Sequence, residues 1–131
     1  MVPVLSQLRC DGKPISETPG YSEDAIQEAV HATRTAGAEC LRLKGGAGYA
    51  VGVAIRTVAA AILGDTDEAL PVSTVEDSGE FRGVALSIPT RVGRSGWRER
   101  LPLSLSEDEH RALLRSAEVL RETIANLRAG A

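Results

Sequence analysis

The run from Tyr49 to Leu63 carries only two strongly polar side chains, Arg56 and Thr57, in an otherwise continuous series of Ala, Val, Ile, Leu and Gly. A helix that is apolar nearly all round must be covered on most of its sides. A membrane span needs about 20 apolar residues, and this run is shorter and interrupted by Arg56. The segment therefore reads as a buried central helix, closed by Gly64 and Asp65, and the rest of the chain must supply its cover.

Upstream, Val2 to Arg9 reads as a short strand, with Pro3 favouring an edge or a strand start. Asp11-Gly12 and the stretch from Pro14 to Gly20 have turn chemistry. Ser22 is a candidate N-cap, followed by Glu23 and Asp24 where the helix dipole favours acids. Ile26, Ala29, Val30, Thr33, Cys40 and Leu41 recur at helical spacing to about Lys44, and Gly37 suits close packing or a kink. Gly45-Gly46-Ala47-Gly48 ends that helix, and the next begins at about Tyr49.

Beyond Gly64 the period changes. Leu70–Val75, Val84–Val92 and Gly96–Leu103 read as strands separated by glycine-bearing loops. Ser106, with Glu109 three residues on, forms a capping-box signature for a last helix, whose stripe is Leu113, Leu114, Ala117, Leu120, Ile124 and Leu127. The order is strand, two helices, three strands and one long helix. Segregated elements of this kind indicate an α+β domain, with short mixed or antiparallel strands and long helices, spanning residues 1–131.

Composition narrows function by exclusion. The net charge is −3 and aromatic residues make up 3% of the chain, so neither a basic stripe nor a stacking platform for nucleic acid is present. Cys10 and Cys40 lie far apart, and with His31 and His110 scattered they lack the spacing of a metal site. No basic start followed by an apolar stretch marks a secretory signal. The expectation is a cytoplasmic protein with no metal, membrane or nucleic-acid partner.

Catalytic motifs are equally sparse. The loop Lys44-Gly45-Gly46-Ala47-Gly48 follows a helix and fits neither dinucleotide nor P-loop spacing. His31 and His110 sit on amphipathic helices with no adjacent nucleophile, and read as structural or solvent-facing. Glu76 and Asp77 lie in a turn, where such residues commonly bond the local backbone. Ser73, Ser87 and Ser116 stand in no nucleophile elbow. These residues by themselves lead to a domain with no visible catalytic constellation.

Ordered similarity goes further. Ala32–Leu63, with its Lys-Gly-Gly-Ala-Gly-Tyr-Ala turn, then Ala61-Ile62-Leu63, Leu70-Pro71-Val72-Ser73, Gly79-Glu80-Phe81, Ile88-Pro89, Val92-Gly93 and Gly96 resemble the NAD-dependent malate/lactate dehydrogenase family. Leu103–Glu109 and Ser116-Ala117 are similar to its final helix. Met1-Val2-Pro3-Val4 is similar to the stretch just downstream of its Gly-x-His-Gly-Asp motif. The resemblance implies an N-terminally incomplete C-terminal, substrate-side domain without its Rossmann domain. It implies no catalytic or cofactor-binding residue within the chain and no NAD binding by the chain alone. It also implies that Gly46, Ala47 and Val51 form a pocket wall for a small 2-hydroxy or 2-keto acid. Ala47, where lactate enzymes often carry Thr, and the Met1-Val2-Pro3 opening lean toward malate, and the turn from Glu76 to Gly83 departs from the family's usual length. The implied partners are further copies of the chain or a full-length dehydrogenase; the alternative is a stand-alone, non-catalytic interaction module derived from the family.

Overall fold

The computed structural model of the chain describes residues 1–46 and 48–130. Three long helices are present: α1 (Glu23–Lys44), α2 (Gly48–Gly64) and α3 (Glu107–Ala129). A two-stranded ribbon, β1 (Arg9–Cys10) with β2 (Lys13–Pro14), precedes α1, and an antiparallel sheet of β3 (Glu68–Val75), β4 (Ala85–Gly93) and β5 (Gly96–Arg100) separates α2 from α3. The α+β expectation holds.

The caps stand where the sequence places them. The Ser22 hydroxyl accepts from the Ala25 N–H, and α1 ends at Gly45, whose left-handed backbone (φ +69°) lets its N–H reach the Leu41 carbonyl. Ser106 and Glu109 close a reciprocal capping box on α3.

Alternation sorts the sheet into two unlike faces. Leu70, Val72 and Thr74 on β3 stand opposite Thr90, Ile88 and Leu86 on β4, and this face is buried or half-buried. Ala69, Pro71, Ser73, Val75, Ala85 and Ser87 point the other way and are exposed. The covered face meets two helices. Ala61 of α2, with Val58 and Ile62, packs on Leu70, Val72 and Val92. Ala117 and Leu113 of α3 pack on Val84, Leu86, Ile88 and Phe81. Both helix contacts use alanine, which lets the helix backbone approach the strands closely.

Despite the unusual length of the Glu76–Gly83 turn, the β3–β4 register is unbroken from Glu68↔Val92 to Val75↔Ala85. The irregularity falls between β4 and β5, where Arg91 faces Glu99 and Val92 faces Trp97. Arg98 is the extra residue of that bulge. It turns back across Gly93 to pair with Asp65 and, at 3.2 Å, with Asp67. The end of α2 is thereby fastened to the β4–β5 turn, where the Arg94 N–H also donates to Asp65 at 2.8 Å.

Two expectations are corrected. Val2–Arg9 is not a strand: residues Leu5–Gln7 form a 3-10 turn, and only Arg9–Cys10 pair, with Lys13–Pro14 across the left-handed Asp11-Gly12 turn. The segment is held by the start of α3 and the linker before it, since the Ser6 N–H donates to Glu109 and the Gln7 side chain donates to the Ser104 carbonyl. Nor is α2 buried along its length. Only its last turns rest on the sheet, while Tyr49, Val51, Val53 and Ile55 are exposed. Three strands are too narrow to reach the first half of the helix. The α1 stripe has no fully buried residue: Ile26 and Val30 are half-buried beside the N-terminal segment, the stripe beyond Val30 is exposed, and Gly37 has no neighbour close enough to require a missing side chain.

Candidate functional site

At the junction between α1 and α2 only Gly45 requires glycine, through its left-handed backbone (φ +69°); a Cβ at Gly46 or Gly48 would meet open space. Lys44, Gly45, Gly46, Gly48 and Tyr49 line a cleft of about 430 Å³ there. Gly46 lines this cleft. Val51 lies one turn into α2, half exposed and outside the cleft lining, and Ala47 falls outside the described residues. The Lys44 ammonium sits 5.8 Å from the centre of the Tyr49 ring, a cation–π distance.

The cleft's own chemistry is limited. Neither an imidazole nor a carboxylate lines it, so it can shape a ligand and present one cation but has no acid–base pair. The loop's connections differ from those of a dinucleotide-binding strand–glycine–helix turn. The glycines follow the carbonyl end of a 22-residue helix rather than a strand, and lead into the N-terminus of α2, so the two helix ends place opposite partial charges at the loop.

The two histidines lie elsewhere. His31 is exposed on α1. His110 Nε2 stands 2.9 Å from Glu80 Oε2, and its ring meets Phe81 edge-on at 6.1 Å. Sequence reasoning placed His110 at an exposed helix start. It missed the clasp with Glu80, because the 30-residue separation hides the pairing. Glu76 likewise has a hidden partner: Arg100 Nε lies 3.1 Å from Glu76 Oε1. Among the described residues no group of His, Cys, Asp and Glu could hold a metal ion, and both cysteines are free and exposed.

Comparison with known proteins gives a consistent picture. The family model for the lactate/malate dehydrogenase alpha/beta C-terminal domain matches residues 1–130. An L-2-hydroxycarboxylate dehydrogenase (NAD(P)(+)) of Methanocaldococcus jannaschii is 34% identical over 133 residues, covering 97% of this chain and 42% of that protein. An L-lactate dehydrogenase of a Synechococcus species is 34% identical over 130 residues, with the same coverage of 97% and 42%. Among solved structures, malate dehydrogenase from Salinibacter ruber superposes with a TM-score of 0.88 at 29% identity, covering 98% of this chain and 42% of that one. The chain thus spans about 42% of the length of these relatives.

Proposed function

This chain belongs to the lactate/malate dehydrogenase family as its α/β C-terminal domain, and we propose that it supplies the substrate-side wall and subunit contacts of an NAD-dependent 2-hydroxy-acid dehydrogenase. Gly46, Ala47 and Val51 make up that wall, acting by shape and by excluding water around a small 2-hydroxy or 2-keto acid. The glycine-lined cleft and its lack of an acid–base pair support a role in shaping rather than in proton transfer. The hydride and proton chemistry belongs to parts of such an enzyme outside these 131 residues, including the NAD-binding half. A preference for malate over lactate rests on Ala47.

The observation that carries the reading is the uncovered apolar surface of α2, directly after the turn. Tyr49 is 87% exposed and Val53 and Ile55 are each 63% exposed. A continuous apolar helix surface of this kind marks an interface. The larger part of each relative's length lies outside this chain, and a partner of that origin, or another copy of the chain, would cover it. The free, exposed cysteines suit a reducing compartment, and we place the protein in the cytoplasm.

Two measurements test the proposal. The chain alone should show no saturable NADH binding by calorimetry and no turnover of malate or lactate followed by NADH absorbance. Fused to the N-terminal remainder of the Methanocaldococcus relative, it should restore turnover, with Ala47→Thr shifting KM between dicarboxylic and monocarboxylic substrates. NADH binding by the isolated chain, or an inert but folded fusion, overturns it. The same α2 surface favours a second reading, a stand-alone association module. That reading gains if the folded fusion stays inert while the isolated chain forms a stable dimer.

A further inference from the structure

On the side of the sheet that α3 covers, the loop after β3, the linker after β5 and the first turns of α3 border a second, half-open cavity of about 440 Å³. It shares no lining residue with the Lys44–Tyr49 cleft. Phe81, Leu86, Ile88, Leu103 and Leu113 give it apolar walls, and the polar groups reaching it are Glu76, Arg100 and His110. Its size and its few convergent polar groups are those of a small-molecule site.

The polar groups are unequally satisfied. Arg100 Nε donates to Thr74 Oγ1 at 2.9 Å, and its Nη2 donates to the Val75 carbonyl. His110 is engaged with Glu80. Glu76 Oε1 is buried and, among the described residues, receives no hydrogen bond, although the guanidinium at 3.1 Å balances its charge. Proximity supplies the charge while the N–H direction serves Thr74. One acceptor is therefore left without a protein donor at the cavity wall, and water or the hydroxyl of a bound molecule can satisfy it.

We propose that this cavity binds a small neutral molecule with an apolar body and one hydroxyl, which donates to Glu76 Oε1. Neutrality follows from the ion pair: an added cation would face Arg100 and an added anion would face Glu76. The outer wall is fastened in place, because Arg121 donates to the carbonyls of Glu80 and Arg82 while His110 holds the Glu80 side chain. The loop from Glu76 to Gly83 is thus tied to α3 at two points beside the cavity.

The test uses the 131-residue chain with benzyl alcohol as probe and toluene as a match in shape lacking the hydroxyl, both titrated by amide NMR. Benzyl alcohol should give saturable shifts confined to the cavity lining, with a Kd at least about tenfold below that of toluene. Leu103→Trp, which fills the chamber from the linker, should abolish binding of both. Glu76→Gln should narrow the gap between them. Equal affinity for the two probes, shifts scattered outside the lining, or unchanged binding in Leu103→Trp overturns the proposal. So does an ordered water on Glu76 that benzyl alcohol fails to displace. If Glu76→Gln does not fold, the two probes and Leu103→Trp decide the question by themselves.

Discussion

Ser6 donates its backbone N–H, at 2.8 Å, and its hydroxyl, at 2.5 Å, to the two carboxylate oxygens of Glu109, a residue 103 positions away. Glu109 also accepts the Ser106 N–H at 2.8 Å. One carboxylate therefore completes the α3 capping box and anchors the N-terminal segment to the same helix start.

That arrangement makes Glu109 acid-sensitive. Partial desolvation pushes its pKa upward, but the hydrogen bonds from Ser6 and Ser106 outweigh it and hold the value at about 2, against an ordinary 4.5. A depressed folded-state pKa contributes stability above the unfolded value, and this contribution fades as pH falls from about 4.5 through about 2. Glu109→Gln should cost about 1 kcal/mol at neutral pH, a figure kept low for solvent exposure. It should also flatten the acid limb of stability. Urea unfolding of both proteins at stepped pH measures this; parallel acid limbs would refute it.

Gly93 and Arg98 are coupled by space. A Cβ on Gly93 would stand 2.5 Å from the Arg98 guanidinium carbon, and that guanidinium is held by Asp65 and Asp67. Gly93→Ala should cost about 1 kcal/mol in the native background and clearly less in an Arg98→Ala background. A double-mutant cycle by chemical denaturation gives the coupling, and strict additivity would contradict it.

Ala117 is fully buried against Val84 and Leu86. Ala117→Leu adds volume where the helix and the strands already touch, so it should destabilise by about 1–3 kcal/mol. Thermal unfolding reads the change. A neutral result would mean that the interface has slack.

The exposed first half of α2 should drive self-association of the isolated chain. Val53→Glu, at a position 63% exposed, should shift sedimentation toward monomer while leaving unfolding stability within about 0.5 kcal/mol of the parent. A parent chain that is already monodisperse and monomeric across the concentration range would count against the interface reading.

Local chemistry made much of the fold legible. Ser22, Gly45 and the Ser106–Glu109 pair act through neighbours a few residues away, so their helix ends could be read directly. The strands were found within a few residues, because the alternation of Leu70, Val72 and Thr74 against exposed neighbours is itself a property of the strand. The family resemblance was legible from ordered short motifs, each set by the same local demands. Val2–Arg9 misled because its apolar composition suits a strand, whereas Ser6 donates to the Glu109 side chain, Gln7 to the Ser104 carbonyl and the Leu8 N–H back to Leu5. Of the candidate site, the glycine run at the end of α1 was legible because a helix break is a local signal; that a cleft opens beside Gly46 was not.

The all-round apolar character of Tyr49–Leu63 determined that a helix would form there and that it needs cover. Which part of that helix is covered was decided only in three dimensions, by the width of a three-stranded sheet that reaches Ala61 and stops short of Val53. The pairing of Glu76 with Arg100, of His110 with Glu80 and of Ser6 with Glu109 was decided the same way. Sequence fixes which groups need a partner; the packing of distant elements fixes which groups can reach them, because hydrogen bonds and ion pairs act over a few ångströms of space and not along the chain.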